Sequence, residues 1–114
     1  MSNIQVGSVG SQSSSGAILV SITGNSTIGS GTKTVATAGV RVQLSSASVP
    51  SKKVTIQALA SNTGNIYIGD STVSSSNGIF ISPTFSYSMT PNNLNLVYLD
   101  ADTSGNSCIY LYEN

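Results

Sequence analysis

Asp100 and Asp102 stand two residues apart and are the only closely spaced pair among four acidic residues, Asp70, Asp100, Asp102 and Glu113. A carboxylate pair can divide acid and base roles in glycoside hydrolysis. Followed by Gly105-Asn106, the pair also resembles in spacing the start of a calcium loop. Calcium takes about six to eight oxygen ligands, and the glutamate that would complete an EF-hand loop is missing. The segment therefore reads as an Asx-rich hairpin turn.

The chain has no histidine, which removes the commonest general base and the imidazole of Ser-His and Cys-His nucleophiles. Serine and lysine are available for a dyad, but none of the many serines is set apart as a nucleophile. The glycines lie between strand-like stretches and none opens a helix, so no phosphate cradle is expected. The single cysteine, Cys108, allows no internal disulfide, and there is no Cys/His cluster for zinc. It lies in the alternating run Cys108-Ile109-Tyr110-Leu111-Tyr112, where a free cysteine serves as a small buried hydrophobe. The expectation is a protein that is not an enzyme and carries no cofactor, metal or small-molecule substrate.

The tyrosines are the remaining conspicuous side chains: Tyr67, Tyr87, Tyr98, Tyr110 and Tyr112, in a chain with two Phe and no Trp. Tyr67, Tyr110 and Tyr112 are opposite in phase to Ile66, Ile68, Ile109 and Leu111. They are candidates for a contact surface, because tyrosine is enriched at interfaces; ordinary sheet packing is the competing reading. Four basic and four acidic residues give a formal net charge of zero. No face can then be strongly basic, which disfavours nucleic acid as a partner, while near-zero charge favours self-association.

The positions of these side chains are set by short β-strands. Residues 1–16 are mostly Ser, Gly, Asn and Gln with isolated Ile4, Val6 and Val9, a composition too polar to build a core. Ala17 to Thr23, with Ile18 and Val20, reads as a first short strand, closed by Gly24-Asn25-Ser26. Gly29-Ser30-Gly31 is expected to loosen the chain again. Strands are expected at 34–37, 40–44 and 53–59, then at 66–68, 79–81 and 84–89, and finally at 95–99 and 107–112. The 84–89 segment has the clearest period of two, one face dry and one wet. Asn77-Gly78 is a tight-turn signal, and Pro83 marks an edge or a corner. No segment keeps helical spacing for three turns.

The length suits one domain, and the pattern predicts an all-β antiparallel sandwich, jelly-roll-like, with an extended N-terminal arm. Residues 1–33 are the expected arm with one short strand, and residues 34–114 the sandwich. The start Met1-Ser2-Asn3-Ile4-Gln5 has no signal-peptide pattern, and the longest apolar run, Ala17 to Val20, is far short of the ~20 residues of a membrane helix. Synthesis in the cytoplasm without membrane association is expected.

Val54-Thr55-Ile56-Gln57-Ala58, Asn62-Thr63-Gly64-Asn65-Ile66-Tyr67-Ile68-Gly69 and Val73-Ser74-Ser75-Ser76-Asn77-Gly78-Ile79 together resemble small virion proteins of tailed bacteriophages, as does the Asp-rich hairpin from Asp100 to Gly105. The resemblance spans roughly residues 40–112 and rests on turn chemistry; it departs at Ser82-Pro83-Thr84, where such proteins often carry a Pro-Gly turn. It implies a β-sandwich head decoration or cement protein on the outer capsid surface, with the major capsid protein and itself, as a homotrimer, as partners. A tail- or fibre-associated module for host attachment is the alternative. Ile4, Val6, Val9, Ile18 and Val20 of the arm and Tyr67, Tyr110 and Tyr112 of the sandwich are the candidate interface residues.

Overall fold

Alternation in the sequence becomes alternation in burial. In Lys53–Ala58, Val54, Ile56 and Ala58 are buried while Lys53 and Gln57 face solvent, and in Ile66–Gly69 the two isoleucines are buried around a half-buried Tyr67. The computed structural model describes residues 24–114. Their strands are β1 (Ile28–Thr34), β2 (Val42–Gln43), β3 (Lys53–Ala58), β4 (Ile66–Gly69), β5 (Ile79–Ile81), β6 (Ser86–Met89), β7 (Tyr98–Ala101) and β8 (Ser107–Glu113). A 3-10 turn, Leu94–Leu96, precedes β7 and is capped by the Asn93 side chain, which accepts from the Asn95 N–H.

The pairing follows one rule. β1 pairs with β8, β2 with β7, β3 with β6 and β4 with β5, all antiparallel, so the chain is a long hairpin with its tip between β4 and β5. Rolling up that hairpin adds the antiparallel pairs β3–β8 and β4–β7. The result is two four-stranded sheets in the orders β1-β8-β3-β6 and β2-β7-β4-β5. This order is that of a jelly roll, the form expected from the sequence.

Val54, Ile56, Ala58 and Cys108 of the first sheet meet Ile66, Ile68, Ile81, Leu99 and Ala101 of the second, and Val35, Leu44, Leu94 and Val97 complete the core. Burying a side chain such as Ile56, Ile68 or Leu99 contributes about 2 kcal/mol relative to leaving it in water.

The sandwich begins before the expected boundary at residue 34. Gly29-Ser30-Gly31 does not loosen the chain but lies inside β1, paired along its length with β8, so residues 28–33 belong to the sandwich. Glycine in a strand interior has no side chain to pack, and here a neighbour supplies the missing contact: the Tyr112 ring lies over Gly29 and the Tyr110 ring over Gly31. The expected strand at 17–23 lies outside the described residues, as do Ile4, Val6, Val9, Ile18 and Val20.

Other elements differ as well: the strand expected at 34–37 stops at Thr34, and that expected at 95–99 gives way to the 3-10 turn Leu94–Leu96 and to β7, Tyr98–Ala101. The strand expected at 40–44 contracts to Val42–Gln43, with Val40 58% exposed. The 84–89 segment is an edge strand whose expected dry face is open, Phe85 being 65% and Tyr87 39% exposed. Among the described residues β6 has only β3 beside it.

Candidate interaction surface

The carboxylates serve loop architecture. Asp100 is buried, and its Oδ1 accepts the N–H of Gly39 at 2.9 Å and of Ala101 at 2.8 Å, which ties the β1–β2 connection onto β7. Asp102 Oδ1 instead accepts the Asn65 N–H at 3.0 Å and the Thr103 hydroxyl at 3.2 Å. Asn62 completes this end, donating to the Ser107 carbonyl at 2.7 Å and accepting the Ser107 N–H at 2.8 Å. The two aspartates thus turn to different loops, as an Asx-rich turn requires and a shared ligand or substrate site does not. Among the described residues, no group of three or more His, Cys, Asp or Glu converges.

Asp70 occupies a second structured loop. The Thr72 hydroxyl donates to its Oδ1 at 2.6 Å and the Thr72 N–H at 2.9 Å, and these bonds hold the carboxyl below its ordinary range. Asn77 donates back to the Thr72 carbonyl and hydroxyl, while Val73 anchors the loop in the interior with no exposed surface. A depression of about 430 Å³ lies between this loop and β4–β5. Cys108, fully buried, has its thiol pushed up to about 11 by burial, and burial raises Tyr110 above its ordinary value too.

The outer faces of the sheets carry exposed apolar side chains. On the first sheet, β8 turns Ile109 and Leu111 outward, 44% and 49% exposed. The register sets Leu111 between Ser30 and Thr55, and Ile109 between Thr32 and Gln57. A shallow groove of about 340 Å³ runs beside them, lined also by Ser30, Thr55 and Gln57. Ile28, 71% exposed, extends the patch on β1, and the facing charges Lys53 and Glu113 stand at one end. On the second sheet, Tyr67 of β4 faces outward opposite Phe80 of β5, which is 60% exposed. Tyr98 shares that face, one register step along, opposite Gly69.

The three sandwich tyrosines singled out in the sequence therefore separate. Tyr67 stays on an outer face. Tyr110 and Tyr112, half-buried, are turned inward and pack against the core, which is the sheet packing that competed with a contact surface in the sequence. The physical reason is the glycine pair on β1: only the inward face of that strand has room for two rings, so Ile109 and Leu111 are the residues left to solvent. Alternation alone could not find them, because it does not say which face is buried. Phe80 was also missed; its strand, Ile79-Phe80-Ile81, is apolar throughout and carries no phase. No family model matches the chain, and no curated protein matches its sequence.

Proposed function

We propose that this chain is a structural virion protein that decorates the outer surface of a tailed-phage head and stabilises the shell without catalysis. The observation that carries the reading is the outer face of the first sheet, where Ile109 and Leu111 stand half exposed among Ser30, Thr32, Thr55 and Gln57 with no charge between them. Interface cores are depleted of charge in this way. The lack of net charge and of histidine supports a role in assembly, and the resemblance of the β4–turn–β5 region to small virion proteins supplies the context. The mechanism is additive: copies that bind the major capsid protein of the assembled shell, and each other as trimers, favour the assembled state by mass action.

Tail or fibre attachment is the second reading, favoured by the Tyr67–Phe80 pair, an exposed aromatic strip on the opposite sheet. Quantitative mass spectrometry of purified particles separates the two. A ratio to the major capsid protein near one, or a simple fraction of it, is the expected result. A few copies per particle transfers the protein to the tail, and its absence removes it from the virion.

A further inference from the structure

The loop between β4 and β5 is latched by one side-chain amide. Ser74 and Asn77 pair as an isolated antiparallel bridge and exchange both backbone bonds, at 3.0 and 3.1 Å, so Ser75 and Ser76 form the tip and Asn77 begins the return. From there Asn77 Nδ2 reaches back and donates to the Thr72 hydroxyl at 3.0 Å and to the Thr72 carbonyl at 3.1 Å. The Thr72 hydroxyl donates in turn to Asp70 Oδ1. Gly78 is fixed for a separate reason. A Cβ there would stand 2.7 Å from Val73 Cγ2 and 2.9 Å from the Ile68 carbonyl oxygen. The packing of Val73 beneath the loop therefore leaves no room for a side chain on the residue that follows Asn77.

Asparagine before glycine is open to attack from its own backbone, because glycine has no side chain to shield its nitrogen or restrict its dihedrals. Both residues are exposed, so water and base reach them. We propose that Asn77 is a deamidation site whose conversion unlatches the 70–78 loop. The Gly78 nitrogen loses its proton to a base in the solvent and bonds to Asn77 Cγ. The Cγ–Nδ2 bond breaks, and Nδ2 takes a proton from water and leaves as ammonia. Water then opens the resulting succinimide to aspartate or isoaspartate. The closed loop delays the first step: Cγ cannot turn toward Gly78 while Nδ2 is tied to Thr72, so the reaction waits for a local opening. The product cannot close the latch again. A carboxylate has no proton to donate to the Thr72 carbonyl, and it meets the like charge of Asp70 across the one hydroxyl that both would use. The inference does not rest on the virion reading and is tested without particles.

Peptide mass spectrometry of the full chain, incubated in mildly alkaline buffer, reads the conversion at position 77. Acid is expected to accumulate there at least ~10-fold more slowly in the folded chain than in urea, where every loop is open. Thr72→Val, which removes the hydroxyl from an exposed position, is expected to speed the folded chain several-fold. Equal rates with and without urea, or a folded Thr72→Val chain no faster than the unmodified one, overturn the gating. Hydrogen exchange by NMR reads the unlatching. The Val73 and Ser74 amides, bonded to the Asp70 and Asn77 carbonyls, are expected to exchange at least ~10-fold faster in Asn77→Asp, while that of Ile56 in β3 keeps its rate. Unchanged exchange at Val73 and Ser74 refutes the proposal. Where Asn77→Asp does not fold, the converted fraction of the aged, unmodified chain, separated by its added negative charge on an anion exchanger, takes its place. The same two amides are expected to be faster there, and rates equal to those of the fresh chain refute it.

Discussion

β4 and β8 carry almost the same words, Ile66-Tyr67-Ile68 and Ile109-Tyr110-Leu111, and are set in opposite senses. In β4 the isoleucines are buried and the tyrosine faces out; in β8 the tyrosine is turned inward and Ile109 and Leu111 face solvent. Hydrophobicity alone would bury the aliphatic residues in both. What differs is the neighbouring strand. β4 lies between Phe80 and Asp100 on its outer face and Ile81 and Ala101 on its inner one, so its small inward positions suit isoleucine. β8 has Gly29 and Gly31 beside it on the inner face, a space that a ring fills and a β-branched side chain does not. Tyrosine at such a site covers backbone that glycine leaves bare, and the aliphatic pair is released to the surface, where it becomes available to a partner.

Substitutions break this comparison to different degrees. The largest effect belongs to the inward position of β4: Ile68→Ala, at a site 1% exposed, costs about 4 kcal/mol in urea unfolding. Tyr110→Ala follows at about 3 kcal/mol, since it removes a ring from the core side and bares Gly31; if Tyr110 were a surface residue the change would be within about 0.5 kcal/mol. Gly31→Val costs about 2 kcal/mol by driving a side chain into the space of the Tyr110 ring, where a Cβ alone would stand 2.5 Å from its hydroxyl oxygen. Tyr67→Ser and Ile109→Ser stay within about 1 kcal/mol, and thermal unfolding of the pair against Tyr110→Ala orders the two faces.

Alkaline titration sharpens the same contrast. Cys108 shares the inward phase of Tyr110, and burial raises its thiol from 9.0 to about 11. Between those values the unfolded chain has lost a proton that the folded chain keeps, so stability is full below pH 9 and falls as pH rises toward 11. The loss is about 2 kcal/mol over that window. Tyr110, raised in the same direction by burial, adds to the fall at higher pH. Cys108→Ala removes the thiol component of the slope; an unchanged pH profile in that variant would place the thiol in water.

Much of the fold was legible because burial alternates with residue type wherever one face is dry. β3 and β4 follow their sequence phase, and Asn77-Gly78 marks the turn before β5, with Gly78 at φ 156°. The orientation of β8 was not legible, because it depends on glycines more than 75 residues away that meet it only through pairing. The exposure of Phe85 and Tyr87 escaped for a related reason: period two reports a strand but not whether anything covers it. Asp102 lies in the turn that the sequence indicated while Asp100 lies in β7, and which backbone groups each holds depended on loops brought together by the rolled hairpin.

The central claim, that this jelly roll binds an assembled shell, is tested most directly by adding the purified full chain to phage particles produced without it. The account predicts saturable binding at a simple ratio to the major capsid protein, a higher temperature for genome release, and weakened binding by Ile109→Asp with Leu111→Asp in a folded chain. Particles that bind no more of the chain than an unrelated protein, and release their genome at the same temperature with or without it, would contradict it.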